Sequence, residues 1–198
     1  MTTPRTATIS RTTTETDVSC TLAIDGSGVA DVSTGLGFLD HMLGALAKHA
    51  KFDLTLKIKG DLHVDDHHTV EDAGIVLGQA IDRALGDKAG ITRFGYAYAP
   101  LDEALARVVV DFSGRPAACI DLGLRRERLG DVACENLAHF MVSLAMNTKC
   151  ALHADVLRGE NDHHRAEAAF KALALALRAA VALDPGASGV PSTKGVLG

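Results

Sequence analysis

The sequence predicts an α+β fold made of two copies of a β-β-β-α-β-α unit, with the helices on one face of the sheets. Three observations predict it. An Asp-His-His-x-x-Glu segment occurs twice, as Asp66-His67-His68-Thr69-Val70-Glu71 and, 96 residues later, as Asp162-His163-His164-Arg165-Ala166-Glu167. Each copy opens an apolar stretch of helical period, and each follows a strand and a helical run that carries a matching histidine, His41 in the first half and His139 in the second. Gly86 to Gly90 form a glycine-bounded break between the copies, dividing one domain into halves 1–90 and 91–198.

The elements follow in order. From Arg5 to about Ile24, Thr, Val and Ile in polar alternation read as two strands broken near Thr16-Asp17. Asp25-Gly26-Ser27-Gly28 is a turn, with a short strand after it through Ser33. Gly35 and Gly37 flank the entry to a helix from Phe38 to about His49; they lack the third glycine and preceding βαβ context of a dinucleotide fingerprint. Phe52 to Ile58 alternates as a half-buried strand. The helix from about Asp66 to Leu85 buries Val70, Ala73, Leu77, Ile81 and Ala84.

The second half repeats this order. Its strands are Phe94–Ala99, Ala104–Asp111 and Ala117–Leu122, followed by a helix from about Val132 to Met146 and a strand from Lys149 to Leu157. After a turn at Arg158-Gly159-Glu160-Asn161, the last helix carries Phe170, Leu173, Leu177 and Val181 on one face. The tail after Pro185 is rich in Gly, Ser and Pro, a composition that favours disorder.

Composition excludes several classes. At 198 residues, 47% apolar and 23% charged, the chain is an ordinary globular protein. Its net charge of −5 and the absence of a basic patch beyond Arg125-Arg126-Glu127-Arg128 argue against nucleic acid as a partner. The first twenty residues lack an apolar signal-peptide core, and Ala172 to Leu183 is too short for a bilayer, so no membrane and a cytoplasmic location are expected. Cys20, Cys119, Cys134 and Cys150 have no zinc-ribbon spacing and read as buried, reduced thiols.

The histidines carry the chemistry. Residues four apart share a helix face, whereas neighbours point about 100° apart. His67 with Glu71, and His163 with Glu167, can therefore each grip one ion, while His68 and His164 must look elsewhere. Each site is then finished by histidines from another part of the fold or from another subunit. The inventory is three histidines and one glutamate per ion, which suits Mn, Fe, Co, Ni or Zn rather than Ca or Mg.

The duplicated DHHxxE, the segment Phe38-Leu39-Asp40-His41-Met42-Leu43, Asp111-Phe112-Ser113-Gly114-Arg115-Pro116 and the tail Ser192-Thr193-Lys194-Gly195 together resemble the imidazoleglycerol-phosphate dehydratase family. The match runs from Arg11-Thr12-Thr13-Thr14-Glu15-Thr16 to the final residues. The resemblance implies half-domains of ribosomal protein S5 domain 2-like topology. It implies a hydro-lyase of L-histidine biosynthesis that converts D-erythro-imidazoleglycerol phosphate to imidazole acetol phosphate. Two Mn2+ per active site and a homo-oligomer of 24 subunits with intersubunit sites are implied with it.

Residue by residue, the resemblance gives one ion His41, His68, His163 and Glu167, and the other His67, Glu71, His139 and His164. It gives Glu15 the acid/base role, on an N-terminal segment that the family places over the substrate. It gives substrate contacts to Glu15, His49, Arg93, Arg115, Lys171, Ser192, Thr193 and Lys194, the basic and hydroxyl groups suiting a phosphate dianion.

This dehydration lacks an activating carbonyl, so the carbon-bound proton is poorly acidic and hydroxide leaves poorly. Both difficulties ease if an ion on each ring nitrogen stabilises an imidazolate, whose electron push expels the adjacent hydroxyl through a diazafulvene-like intermediate. A two-metal hydrolase or phosphatase is the alternative. Such sites usually share a bridging carboxylate, and the sequence has no Asp-rich cluster to supply one. A metal-storage protein would explain the histidines but leave the arginines, the tail and Glu15 without a role.

Overall fold

In the computed structural model, which describes residues 4–187 and 189–197, the first half runs β1 (Thr6–Thr12), β2 (Thr16–Ala23), β3 (Ala30–Ser33), α1 (Gly37–Ala50), β4 (Asp53–Gly60) and α2 (His67–Leu85). The second runs β5 (Phe94–Leu101), β6 (Ala104–Asp111), β7 (Ala117–Asp121), a two-strand ribbon β8 (Arg128–Leu129) and β9 (Val132–Ala133), α3 (Cys134–Thr148), β10 (Ala151–Arg158) and α4 (Asp162–Val181). Apart from the ribbon, the two orders are the same.

The sheets repeat as well. Strand order is β1-β2-β4-β3 in one and β5-β6-β10-β7 in the other. In each, only the third strand is parallel to its neighbour. Period-2 patterning explains the layering. Val18, Cys20 and Leu22 on β2, and Ala104, Ala106, Val108 and Val110 on β6, all turn to one buried face. That face meets the half's own two helices, and the helices of the halves then pack pairwise, α2 on α3 and α1 on α4.

The α2–α3 contact depends on two glycines. A Cβ at Gly74 would lie 2.7 Å from the carbonyl oxygen of Phe140, and one at Gly78 would lie 2.8 Å from that of Leu144. Without side chains at these positions the two backbones approach closely, with their N-termini at the same end. Both α1 and α3 stop where a lysine adopts the left-handed conformation, Lys51 at φ 62° and Lys149 at φ 56°.

Boundaries shift in a few places. The first hairpin breaks at residues 13–15, not at Thr16-Asp17: the Thr13 hydroxyl accepts the N–H groups of Glu15 and Thr16, and the Thr16 hydroxyl donates to buried Asp72. The helix expected from Val132 starts at Cys134, because Val132 and Ala133 pair with β8. Cys119 is exposed, against expectation, since β7 is an edge strand, whereas Cys20, Cys134 and Cys150 are buried. Burial pushes the Cys20 thiol up to about 12 and Cys150 to about 11, so both stay protonated. The tail at 189–197 lies against the second half rather than running free: Gly90 N–H donates to the Gly189 carbonyl and Arg93 Nη1 to that of Pro191. Among the described residues, no helix is long and apolar enough to cross a membrane.

Candidate metal centre

Among the described residues, two clusters form at the helix N-termini, and each takes one histidine from the opposite half. His41 from α1 joins His163 and Glu167 from α4; His139 from α3 joins His67 and Glu71 from α2. Within each trio the ligand atoms lie within 4.8 Å of one another. Glu167 Oε2 is 3.2 Å from His41 Nε2 and 3.1 Å from His163 Nε2. Glu71 Oε1 is 3.1 Å from His139 Nε2, and the His67 and His139 rings stack at 4.7 Å. Two imidazoles and a carboxylate converging without a thiolate fit a divalent transition metal with one or more open positions.

His68 and His164 lie outside these trios. Each is turned about edge-on to the histidine before it, at ring separations of 6.1 and 6.2 Å, as neighbouring helix positions require. His68 Nδ1 contacts Asp61, and its Nε2 is 3.7 Å from Glu15 Oε1. His164 Nδ1 contacts Glu103 Oε2 at 2.7 Å. The hydrogen bond to Asp61 holds the His68 pKa above its ordinary value, and the one to Glu103 does the same for His164. Glu103 is held down to about 2, first by the backbone N–H of Asn161 and then by His164. Burial pushes the Glu167 carboxyl up, but hydrogen bonds from Lys171 and His41 outweigh it and hold it at about 2.

The other expected residues fall into three places. Lys171 Nζ is 2.7 Å from Glu167 Oε1, one turn along α4. His49, two turns past His41, has its pKa lowered by burial and by the charge of Lys171, which brings it to the same neighbourhood. Glu15 is at the β1–β2 hairpin tip beside His68. Arg93, Arg115 and the tail gather at the far end of α4: Arg93 N–H donates to the Ala180 carbonyl, its guanidinium forks onto Asp111, and Arg115 stands in the turn that follows. That end is roughly 25 Å along the helix from His163. Ser192, Thr193 and Lys194 form a tight turn there, Lys194 N–H donating to the Ser192 hydroxyl. One chain therefore brings together three candidate metal ligands twice, with Lys171 beside one trio, but it brings Arg93, Arg115 and the tail to neither.

Several residues escaped the sequence reading. Asp66 and Asp162, the first residues of the two repeated motifs, are buried clamps. Asp66 accepts from Ala133 N–H and the Asn136 amide; Asp162 accepts from the N–H groups of Arg125 and Arg126. Burial raises both carboxyls; hydrogen bonds with Asp65, Asn136 and the Ala133 N–H bring Asp66 below the usual range, and those from Arg126 and Arg125 do the same for Asp162. Asn136 Oδ1 in turn meets His67 Nδ1 at 2.9 Å, leaving Nε2 for the cluster. The repetition of the aspartate along with the histidines was the available signal.

Fold and site define the class: a duplicated α+β protein with two histidine–glutamate clusters suited to divalent metals. The family model for imidazoleglycerol-phosphate dehydratase matches residues 34–177. The protein of that name from Phytophthora nicotianae is 59% identical over 98% of this chain, which spans only 42% of that longer relative. The one from Pyricularia oryzae is 52% identical over all of this chain and 99% of its own length. The crystal structure of the Staphylococcus aureus enzyme superposes with a TM-score of 0.82 at 36% identity, covering 90% of this chain and 99% of that one. The chain belongs to the imidazoleglycerol-phosphate dehydratase family, a family of hydro-lyases.

Proposed function

We propose that the chain dehydrates D-erythro-imidazoleglycerol phosphate to imidazole acetol phosphate as a step of L-histidine biosynthesis. It does so in the cytoplasm, with two Mn2+ per active site, in a homo-oligomer of 24 copies. The observation that carries this reading is the separation of the two trios: His41, His163 and Glu167 share no residue with His67, Glu71 and His139. Bound at such sites, two ions would act as Lewis acids on the two ring nitrogens of an imidazole and make the ring a stronger electron donor. A two-metal hydrolase usually shares a carboxylate between ions held roughly 3.5–4 Å apart, and Glu71 and Glu167 belong to different clusters.

The chain's own residues supply the rest. Each trio lacks the third histidine that the inventory allots to it, and His68 and His164 are the histidines left over. Both are partly exposed, at 31% and 26% of the side chain, and so are open to a neighbouring copy. In this reading His68 completes the His41 trio of another copy, and His164 completes the His67 trio. Glu15 arrives with His68 and stands over the substrate there, taking the carbon-bound proton and returning one as the enol becomes the ketone. Arg93, Arg115, Ser192, Thr193 and Lys194 come from a copy whose far α4 end meets the site, and with Lys171 they hold the phosphate end of the substrate, while His49 is a further substrate contact.

The Mn-loaded chain given imidazoleglycerol phosphate tests the proposal. Formation of the ketone without inorganic phosphate is expected. Release of phosphate, or no turnover, overturns it.

A further inference from the structure

Each His-His pair leaves one of its two histidines outside the trios, and in both the engaged atom is Nδ1. His68 Nδ1 lies 3.2 and 3.1 Å from the two carboxylate oxygens of Asp61, and His164 Nδ1 lies 2.7 Å from Glu103 Oε2. A carboxylate can only accept, so a neutral ring must carry its proton on Nδ1 and leave the Nε2 lone pair free. Nε2 is also the atom that His41, His139 and His163 turn toward the glutamates of the trios.

The two carboxylates are not counterparts in the duplication. The β5–β6 hairpin pairs Leu101 with Ala104 as the β1–β2 hairpin pairs Thr13 with Thr16, so the tip residue Glu103 is the counterpart of Glu15, 88 residues on. Asp61 opens the loop after β4; the shorter loop after β10 opens with Gly159 instead. A side chain there has no room, because a Cβ would lie 2.9 Å from both Ala104 Cβ and Arg165 Cγ, at a φ of 148°. The second half therefore has no counterpart of Asp61. Its hairpin glutamate takes that place, fixed by the N–H groups of Glu160 and Asn161 at 3.0 and 2.9 Å. In the first half Asp61 serves His68, and Glu15 keeps a side chain that is 52% exposed.

We propose that Asp61 and Glu103 are positioning residues, each locking its histidine with the proton on Nδ1 and aiming Nε2 at an ion held by another copy. The duplicated hairpin glutamates have thereby divided: Glu103 orients a ligand, and Glu15 is the one left free for proton transfer. This rests on the metal-dependent reading above.

The test is titration of the full assembled chain with Mn2+ against a competing chelator, alongside kcat. Glu103→Ala and Asp61→Ala should each weaken one of the two ions by about 10–100-fold and spare the other. Glu103→Gln and Asp61→Asn keep an acceptor oxygen and should recover most of that loss. Glu15→Gln should bind both ions as the wild type does while kcat falls. Wild-type affinity for both ions in Glu103→Ala, or loss of an ion in Glu15→Gln, overturns the proposal. Glu103 also holds a turn, so if Glu103→Ala does not fold, Asp61→Ala decides by itself. A wild-type chain that binds no Mn2+ would instead defeat the metal reading beneath it.

Discussion

His41 Nε2 and Glu167 Oε2 stand 3.2 Å apart although 126 residues separate them in the chain. The mirror contact, His139 with Glu71, spans 68 residues in the opposite sense. Each half thus lends one upstream histidine to the other half's helix. Neither half can form a trio by itself, so the duplication is joined at the two places where metal ligands converge.

Glu71 and Glu167 belong to separate trios. Glu71→Gln and Glu167→Gln should each lose one ion per site, keep the other and abolish turnover, because a neutral amide no longer balances a divalent charge. Metal content by elemental analysis checks it, and both ions disappearing together in either variant would mean that the clusters are not independent.

Binding and chemistry should separate in the kinetics. Arg115→Ala should raise KM, since losing a charge-assisted contact to phosphate costs about 1.5–3 kcal/mol. Glu15→Gln should lower kcat with little change in KM. A near-normal kcat in Glu15→Gln removes that residue from proton transfer.

Helix approach sets one trio's geometry. Gly74→Ala must push against the Phe140 carbonyl, an overpacking that costs about 1–3 kcal/mol, and should also weaken the ion at His67, Glu71 and His139. Gly44→Ala, on α1 with nothing within 4 Å of its Cβ, should instead stabilise the chain by about 0.5–1 kcal/mol. Denaturant melts of the two variants check both signs.

Acid should act through imidazoles rather than carboxylates. The pKa of His68 and of His164 is raised above 6.5, each by its carboxylate partner, so protons compete with metal there from above that pH downward. In the metal-free protein the sign reverses: these charged pairs contribute stability that is full below 6.5 and lost as pH rises through the raised values. Glu167, at about 2, stays ionised across this range. Thermal melts with and without Mn2+ between about pH 5 and 9 should therefore show opposite slopes. Parallel slopes would contradict the assignment.

Much of this was legible in the sequence because repeats and periods are local. The order β-β-β-α-β-α, the glycine break and the i, i+4 partnership of His163 with Glu167 all appear in the fold. A period identifies a helix's apolar face but not the helix that covers it, so the pairing of α1 with α4 that brings His41 to Glu167 was not readable from spacing. Asp61 and Glu103 were missed for the same reason: each reaches its histidine from a loop or hairpin that only the folded sheet brings near. The tail's composition suggested disorder, since the hydrogen bonds from Gly90 and Arg93 that hold it come from the other end of the half.

If His68 of one copy completes the trio of another, two chains that each lack one ligand of that ion should complement each other. Co-expressing His68→Ala with His163→Ala tests it directly, because each variant alone lacks a ligand of the same ion. Mixed assemblies should regain dehydratase activity, with about one site in four complete for random incorporation into a symmetric oligomer. A mixture as inactive as either variant alone would show that both ligands must come from a single chain.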